Sequence, residues 1–207
     1  MERPPVAAGI DNAGNIEMTM AKTPGALDLV GAIASDLGLE IGVSEWDVPG
    51  PPTSVMVRGS LRAEIEMLRA ALHARADDSA TLAASHRVQI GAAWAEATVT
   101  RQSVLVRVSG GAVLDQTVMR SYVIGAVHQA LGLVRSESIS VDSEGRVHDL
   151  TVRSFGILRS IETPEVEVEI LDSDSSPQPV SPAVFCAVAA AAWCFANKPP
   201  ILPLTAN

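Results

Sequence analysis

The side chains in this sequence best suited to moving protons are a few histidines and carboxylates. His128 stands six residues after Tyr122 in a stretch of helical pattern, so the two share a face only approximately. An imidazole titrates near neutrality, which suits a general acid or base, and the alternative is a hydrogen-bonded or surface helix histidine. Glu96 follows Trp94 by two in an alternating stretch, and a period of two puts both on one strand face. A carboxyl beside an aromatic ring in a dry pocket keeps its proton to higher pH and can act as an acid. The alternative is an outward strand glutamate with Trp94 as partial cover. Asp172 and Asp174 have the spacing of two carboxylates on one edge, although a loop of Asp and Ser is also ordinary turn material. Ser85 and His86 are adjacent, and neighbours on a strand point to opposite faces, which argues against a Ser/His pair. His73, on a charged helix face, and His148, beside a turn, read as solvated.

These residues need a frame, and the periodicities supply one. Ile10 to Met20 alternates around the turn Asn12-Ala13-Gly14-Asn15, as a strand or hairpin arm does. Leu27, Val30, Ile33, Ala34 and Leu37 follow at helical spacing, with Gly38 as the stop. Ile41 to Val48 is a short strand ending at the rigid loop Pro49-Gly50-Pro51-Pro52. Leu61 to Ala76 reads as a helix capped by Ser60, with Ile65, Leu68, Ala71 and Leu72 on one side and the charges opposite. Two strands lie within Ala92 to Val108, the second marked by Val104, Val106 and Val108. Thr117 to Leu131 is helical, with Gly132 as its expected stop. Ser138 to Val147 is a hairpin turning at Ser143-Glu144-Gly145, and Val166, Val168 and Ile170 alternate with three glutamates in an exposed strand. Ala183 to Ala196 is a buried helix, with Ser181 to cap it and Pro182 at its first position.

Two strand, helix, strand units, Ile10 to Val48 and Val104 to Val141, have similar lengths, and both helices end in Leu-Gly-Leu. They suggest a pseudo-repeat. The expected class is α+β, with mixed or antiparallel sheets covered on one face by helices. The expected organisation is a single domain over residues 1–207, or two subdomains at about 9–78 and 79–207.

Composition narrows the function classes. A chain of 207 residues can bury a substantial core, and 47% apolar with 19% charged residues is an ordinary globular mixture. Aromatics are only 3%, so the core must be built from Val, Ile, Leu and Ala. The net charge of -9, without any Lys/Arg cluster, disfavours nucleic acid as a partner. No apolar run of signal-peptide length follows the start, and the longest apolar run is too short to span a membrane. Cys186 and Cys194 would lie about 12 Å apart along one helix, beyond disulfide reach, so a reducing, cytoplasmic setting is expected. No metal site is expected, because no set of side chains has metal-ligand spacing. The expected partner is a small molecule, and a homo-oligomer is compatible with the composition.

One segment carries a family likeness. Gly125-Ala-Val-His-Gln-Ala-Leu-Gly-Leu-Val-Arg-Ser-Glu137 resembles a stretch in which Gly-Gly-Ile-Val-Gln-Gly-Leu-Gly precedes a glutamate, and Gln129, Gly132 and Glu137 fall into place without a gap. Gly145-Arg146-Val147, Phe155, Arg159, Pro164, Ser181-Pro182-Ala183 and Ile201-Leu202-Pro203-Leu204 continue the likeness. Leu29 to Gly38 and Arg58-Gly59-Ser60 match weakly. The pattern resembles the molybdenum-binding subunit of the xanthine dehydrogenase and aldehyde oxidase family, most closely the branch related to isoquinoline oxidoreductase. The departures are specific. No glutamate of a Gly-Val-Gly-Glu motif precedes Ser181, where only Asp172 or Asp174 could stand in. Lys22-Thr23-Pro24-Gly25 replaces a Gly-Gln-Gly motif, and proline removes a backbone donor from a loop that in the family helps hold the pterin. Tyr122 stands in place of a Gln, and no four-cysteine set for an iron-sulfur cluster is present.

The resemblance therefore implies a relative that does not hydroxylate with molybdenum by itself, and no cofactor is expected. If the family's pocket survives, Tyr122, His128, Gln129, Asp172 and Asp174 converge with Lys22 and Thr23, and Glu96 with Trp94 reaches the same cavity. The first functional expectation is cofactor-free acid-base chemistry on a small aromatic or heterocyclic amine or aldehyde, such as a Pictet-Spengler condensation. The second is a separate subunit or cofactor-holding fragment of a split molybdenum hydroxylase, or an assembly domain without catalysis.

Overall fold

The computed structural model describes residues 6–47, 60–73, 82–138, 140–142, 144, 146–148, 151 and 154–204. The expected loop 49–52, the end of the second helix beyond His73, the side chain of Ser60 and two residues of the 143–145 turn lie outside what is described.

The first sheet is built by one turn and one crossover. Strands β1 (Val6–Ile10) and β2 (Ile16–Ala21) form an antiparallel hairpin. The Asp11 carboxylate closes it by accepting the backbone N–H groups of Ala13 and Asn15, both at 2.8 Å, an Asx turn that holds Gly14 at positive φ. Helix α1 (Ala26–Leu37) then crosses over, stops at Gly38 with φ 62°, and returns the chain as β3 (Ile41–Trp46), parallel to β2. Ile16, Met18 and Met20 point from β2 onto Val30 and Ile33 of α1 and onto Leu61 and Ile65 of α2 (Ser60–His73).

The second sheet repeats this path. Strands β4 (Ala83–Ile90), β5 (Ala93–Thr100) and β6 (Ser103–Ser109) form an antiparallel meander. Helix α3 (Gln116–Arg135) crosses over, and β9 (Glu165–Ile170) returns parallel to β6. A small hairpin, β7 (Ser140–Val141) with β8 (Val147–His148), is inserted before that return. Helix α4 (Ser181–Phe195) follows β9 as α2 follows β3. The expected repeat is thus present in the strand order β1-β2-β3 against β5-β6-β9, but its second unit closes at β9 and not within 138–141. Two short strands could not cover the length of β6, whereas the alternating Val166, Val168 and Ile170 do.

The class is α+β, with four helices and two mixed sheets among the described residues. The main core is rich in Val and Ala: Ala95, Ala97 and Val99 of β5 and Val104, Val106 and Val108 of β6 face the helices, and Ala183 to Ala192 of α4 are buried without interruption. Small side chains let α4 lie close to α2, α3 and the sheet at once. No described helix is long and apolar enough to cross a membrane, and neither cysteine is in a disulfide.

Three local expectations need correcting. Helix α3 does not stop at Gly132, because Leu133 and Val134 continue its buried stripe to Arg135. Val180, not Ser181, holds the N-cap position of α4, and Ser181 with Pro182 opens the first turn. The polar side of α2 is not solvated: Leu61 and Ile65 face the first sheet, Ala63, Met67 and Ala70 face the main core, and Glu66 is fully buried.

Candidate acid-base site

Helix α3 brings the best-formed pair of titratable groups together. Asp115 starts the helix by accepting the Val118 N–H at 2.9 Å, and Val123, Val127, Ala130 and Leu131 pin it to the core. His128 is half-buried on the opposite flank, with Nδ1 3.1 Å from the Thr163 hydroxyl oxygen. That hydroxyl lies 3.3 Å from the Arg159 carbonyl, to which it donates. Its one proton is therefore engaged, so it accepts from Nδ1–H of His128. The neutral imidazole is thereby held in the tautomer whose Nε2 carries the lone pair a general base needs.

The chain then doubles back at the end of α3. The Glu137 N–H donates to the Gly132 carbonyl at 2.8 Å, and the Glu137 carboxylate packs where a side chain at position 132 would sit. Gly132 is thus required by this close approach and does not act as a helix stop. Burial pushes the Glu137 carboxyl above the ordinary glutamate range, and a charge on His128 works in the opposite direction. The neighbouring Ser136 Oγ is buried without a hydrogen-bond partner. A carboxyl whose proton affinity burial raises, electrostatically coupled to an imidazole held through Nδ1, brings together the two kinds of group from which an acid and a base with separated roles are built.

The other expected site residues lie elsewhere. Tyr122 is 64% exposed and Gln129 is exposed on the same helix. Trp94 and Glu96 share the face of the second sheet that carries no helix among the described residues, whereas α3 and α4 pack on the other. Glu96 and His128 are consequently on opposite sides of the sheet. Around Glu96 the strand registers line up Arg87, Glu96, Arg107 and Glu169. Arg107 lies 3.9 Å from Glu96 and 2.9 Å from Glu169, and the Arg87 guanidinium stacks 4.0 Å over Trp94. Glu96 thus belongs to a charge ladder, a different setting from the dry pocket that an aromatic neighbour suggests. Asp172 accepts the Val113 N–H at 3.0 Å, near the start of α3 and about 20 Å of helix away from His128. Asp174 is exposed in the same loop.

Lys22 and Thr23 follow β2 in the first sheet. The Lys22 N–H donates to the Trp46 carbonyl at 2.9 Å, the Thr23 N–H to Glu45 at 3.4 Å, and the Thr23 hydroxyl to the Ala21 carbonyl at 3.1 Å. With these donors engaged and Pro24 lacking an N–H, the segment does not fit the task of holding a pterin. Among the described residues no group of three or more His, Cys, Asp or Glu side chains could hold a metal ion.

A second cluster escaped sequence reasoning altogether. Glu66, with no exposed surface, meets Arg62 at 3.2 Å, Arg69 at 2.6 Å and His86 at 3.1 Å. Burial opposes its ionisation, but hydrogen bonds from His86 and Arg69 and the charges of Arg69 and Arg62 outweigh it and hold the carboxyl below its ordinary range. Arg62 also reaches Asp36 and the Gln89 carbonyl, and Arg69 the Arg87 carbonyl. Ser85 turns the other way, to Thr98 at 2.8 Å, so Ser85 and His86 do lie on opposite faces. His148 bonds Asp142 at 2.7 Å; this bond and the Arg146 N–H hold the Asp142 carboxyl at about 2.

No family model and no curated protein matches the sequence. Among solved structures, the chain is similar to CO dehydrogenase from Oligotropha carboxidovorans over 93% of its own length and 34% of that chain, at 12% identity and a TM-score of 0.46. Quinoline 2-oxidoreductase from Pseudomonas putida 86 matches over 93% and 35%, at 12% identity and 0.44. Aldehyde oxidoreductase from Desulfovibrio desulfuricans ATCC 27774 matches over 92% and 28%, at 16% identity and 0.35. The chain spans about a third of the length of these larger enzymes, and its likeness to them is one of coarse fold.

Proposed function

We propose that this chain is an acid-base catalyst acting on a small amine or carbonyl compound, with His128 Nε2 as the base and the Glu137 carboxyl as the acid. The observation that carries this reading is the Arg159–Thr163–His128 hydrogen-bond chain, which engages Nδ1 of His128 on the flank of α3 where burial raises the Glu137 carboxyl above its ordinary range. The substrate class is the aromatic or heterocyclic amine or aldehyde that the sequence resemblance implies. In a Pictet-Spengler condensation an amine adds to an aldehyde and water leaves, giving an iminium ion. A ring carbon then attacks it, and loss of the ring proton restores aromaticity. A C–N bond and then a C–C bond form, the C–O bond breaks as water leaves, and the help asked of the protein is proton transfer: Glu137 protonates the departing hydroxyl and His128 accepts the ring proton.

The test is turnover of arylethylamines with a panel of aldehydes, followed by mass spectrometry of the cyclised product. His128→Ala and Glu137→Gln should each lower the rate by roughly 10²-fold or more, the usual size of a general acid or base contribution. Full activity in both variants would remove this site assignment. A second reading is a stand-alone subunit or cofactor-holding fragment of a split molybdenum hydroxylase, or an assembly domain without catalysis, in keeping with the coarse-fold likeness to about a third of the CO dehydrogenase and quinoline 2-oxidoreductase chains.

A further inference from the structure

The segment from Arg159 to Thr163, just before β9, closes on itself as a 3-10 turn over Ser160–Glu162. The Glu162 side chain fastens it by gripping Arg159 twice: Oε2 accepts the Arg159 N–H at 2.9 Å and Oε1 accepts from the Arg159 guanidinium at 2.6 Å. In return the Glu162 N–H donates to the Arg159 carbonyl at 2.9 Å, and the Thr163 N–H to the Ser160 carbonyl at 3.3 Å. Pro164 follows, and a proline keeps the residue before it extended, as Thr163 is at φ -75° and ψ 126°. The β-branched side chain of Thr163 has few rotamers open to it. Thr163 is thus held from both directions, although Arg159 and Glu162 are themselves exposed.

An exposed ion pair of this kind adds little to global stability, so what it contributes is the placement of the groups it holds. The Thr163 hydroxyl has one proton and lies between two acceptors, the Arg159 carbonyl at 3.3 Å and His128 Nδ1 at 3.1 Å. When the proton goes to the carbonyl, Nδ1 must carry its own, and Nε2 keeps the lone pair. When it goes to Nδ1, the tautomer is reversed. The free neutral histidine side chain in water prefers its proton on Nε2, so His128 left to itself would take the second arrangement. What opposes this is the Arg159 carbonyl, whose position the Glu162 carboxylate sets.

We infer that Glu162 is a positioning residue for His128: it keeps the Arg159 carbonyl within reach of the Thr163 hydroxyl, which sends the hydroxyl proton there and fixes the imidazole with its proton on Nδ1. The tautomer is a property of the folded chain whatever it catalyses. Its use, an Nε2 able to take a proton, rests on the acid-base reading above.

Ring nitrogen-15 shifts distinguish the two tautomers, and at about pH 8, above the ordinary histidine range, the neutral ring is observed. His128→Gln identifies the His128 signals among the four histidines. The wild type should show Nδ1–H. Thr163→Val, which keeps the shape and removes the hydroxyl, should turn His128 to Nε2–H. Glu162→Ala should move the tautomer ratio roughly fivefold or more toward Nε2–H, the worth of about one hydrogen bond. Its melting temperature should stay within ~4 °C of the wild type. Glu162→Gln, whose carbonyl oxygen can still accept the Arg159 N–H, should restore most of the wild-type ratio. Glu144→Ala, which removes the exposed pair with Arg146 at 3.0 Å, should leave His128 unchanged. An Nε2–H wild type, or no response to Thr163→Val, overturns the hydrogen-bond directions. A tautomer reversed by Thr163→Val and indifferent to Glu162→Ala overturns the role of Glu162. On an arylethylamine and an aldehyde, Glu162→Ala should lower kcat in proportion to the Nδ1–H fraction lost and leave KM unchanged. A tautomer that obeys every substitution in a protein with no turnover on any amine and aldehyde leaves the positioning intact and removes the acid-base reading.

Discussion

Glu66 is buried and Glu137 half-buried, each is coupled to a histidine, and their surroundings give them opposite tasks. Glu66 has both carboxylate oxygens engaged: Arg62, Arg69 and His86 close around it, and those arginines also satisfy carbonyls at the β4 edge. It stays ionised and fastens α2 to the second sheet. Glu137 is governed first by burial, and among the described residues a glycine lies beneath it and a histidine whose Nδ1 is engaged lies near it. Its carboxyl is pushed above the ordinary glutamate range. Complete satisfaction makes a clamp, and incomplete satisfaction leaves chemistry available.

The comparison predicts its largest effect at the clamp. Glu66→Gln keeps the shape but sets an amide donor against guanidinium donors, takes the carboxylate from Arg69 and leaves Arg62 with Asp36 alone, so stability should fall by about 3–5 kcal/mol. Urea unfolding measures this, and a loss under 1 kcal/mol would show that the arginines find other partners. The pH dependence has a definite sign. Because the folded state holds the Glu66 carboxyl below its unfolded value, its contribution is present above the ordinary glutamate pKa and is lost as pH falls through the folded one. The variant should therefore lose less stability on acidification than the wild type.

The next effect separates chemistry from folding. In Gly132→Ala the new methyl group takes the place of the Glu137 carboxylate, which can swing away because it is the end of a flexible side chain. Alanine is also the better helix former by about 1 kcal/mol. Thermal stability should hold or rise while turnover drops roughly tenfold or more, since the acid is displaced from His128. Unchanged turnover would detach Glu137 from the mechanism.

Much of the frame was legible in the sequence because local patterns decide it. The Asp11–Asn15 turn, the Gly38 stop and the alternation of β9 depend on neighbours a few residues away. The Glu66 clamp was not legible, because a helix pattern separates apolar from polar faces but cannot show that α4 and β4 bury the polar one. Gly132 was read as a stop for a similar reason: Gly at a helix end is usually a C-cap, and only Glu137 folding back shows what its missing side chain is for. His128 was visible as a base, and Glu137 stood in the segment carrying the family likeness. Their pairing needed the reversal after α3, which sequence spacing does not reveal.

The smallest effect concerns Glu137 itself and tests whether its burial is real in solution. The folded state raises this carboxyl above its unfolded value, chiefly by burial. Its contribution to stability is therefore full below the unfolded pKa and is lost as pH rises through the folded one. Near neutral pH the wild type carries the cost of a half-buried charge, only partly relieved by His128. Glu137→Gln removes that cost while keeping the size of the side chain, so its melting temperature should equal or exceed that of the wild type at pH 7 to 8. The gain should stay below ~4 °C, the upper shift for one kcal/mol in a chain of this length. At pH 4 and below, where the wild-type carboxyl is protonated, the two proteins should melt together. A variant that melts lower at neutral pH and converges only in acid would mean that the carboxylate is stabilised by its surroundings, as Glu66 is, and the contrast between the two glutamates would collapse.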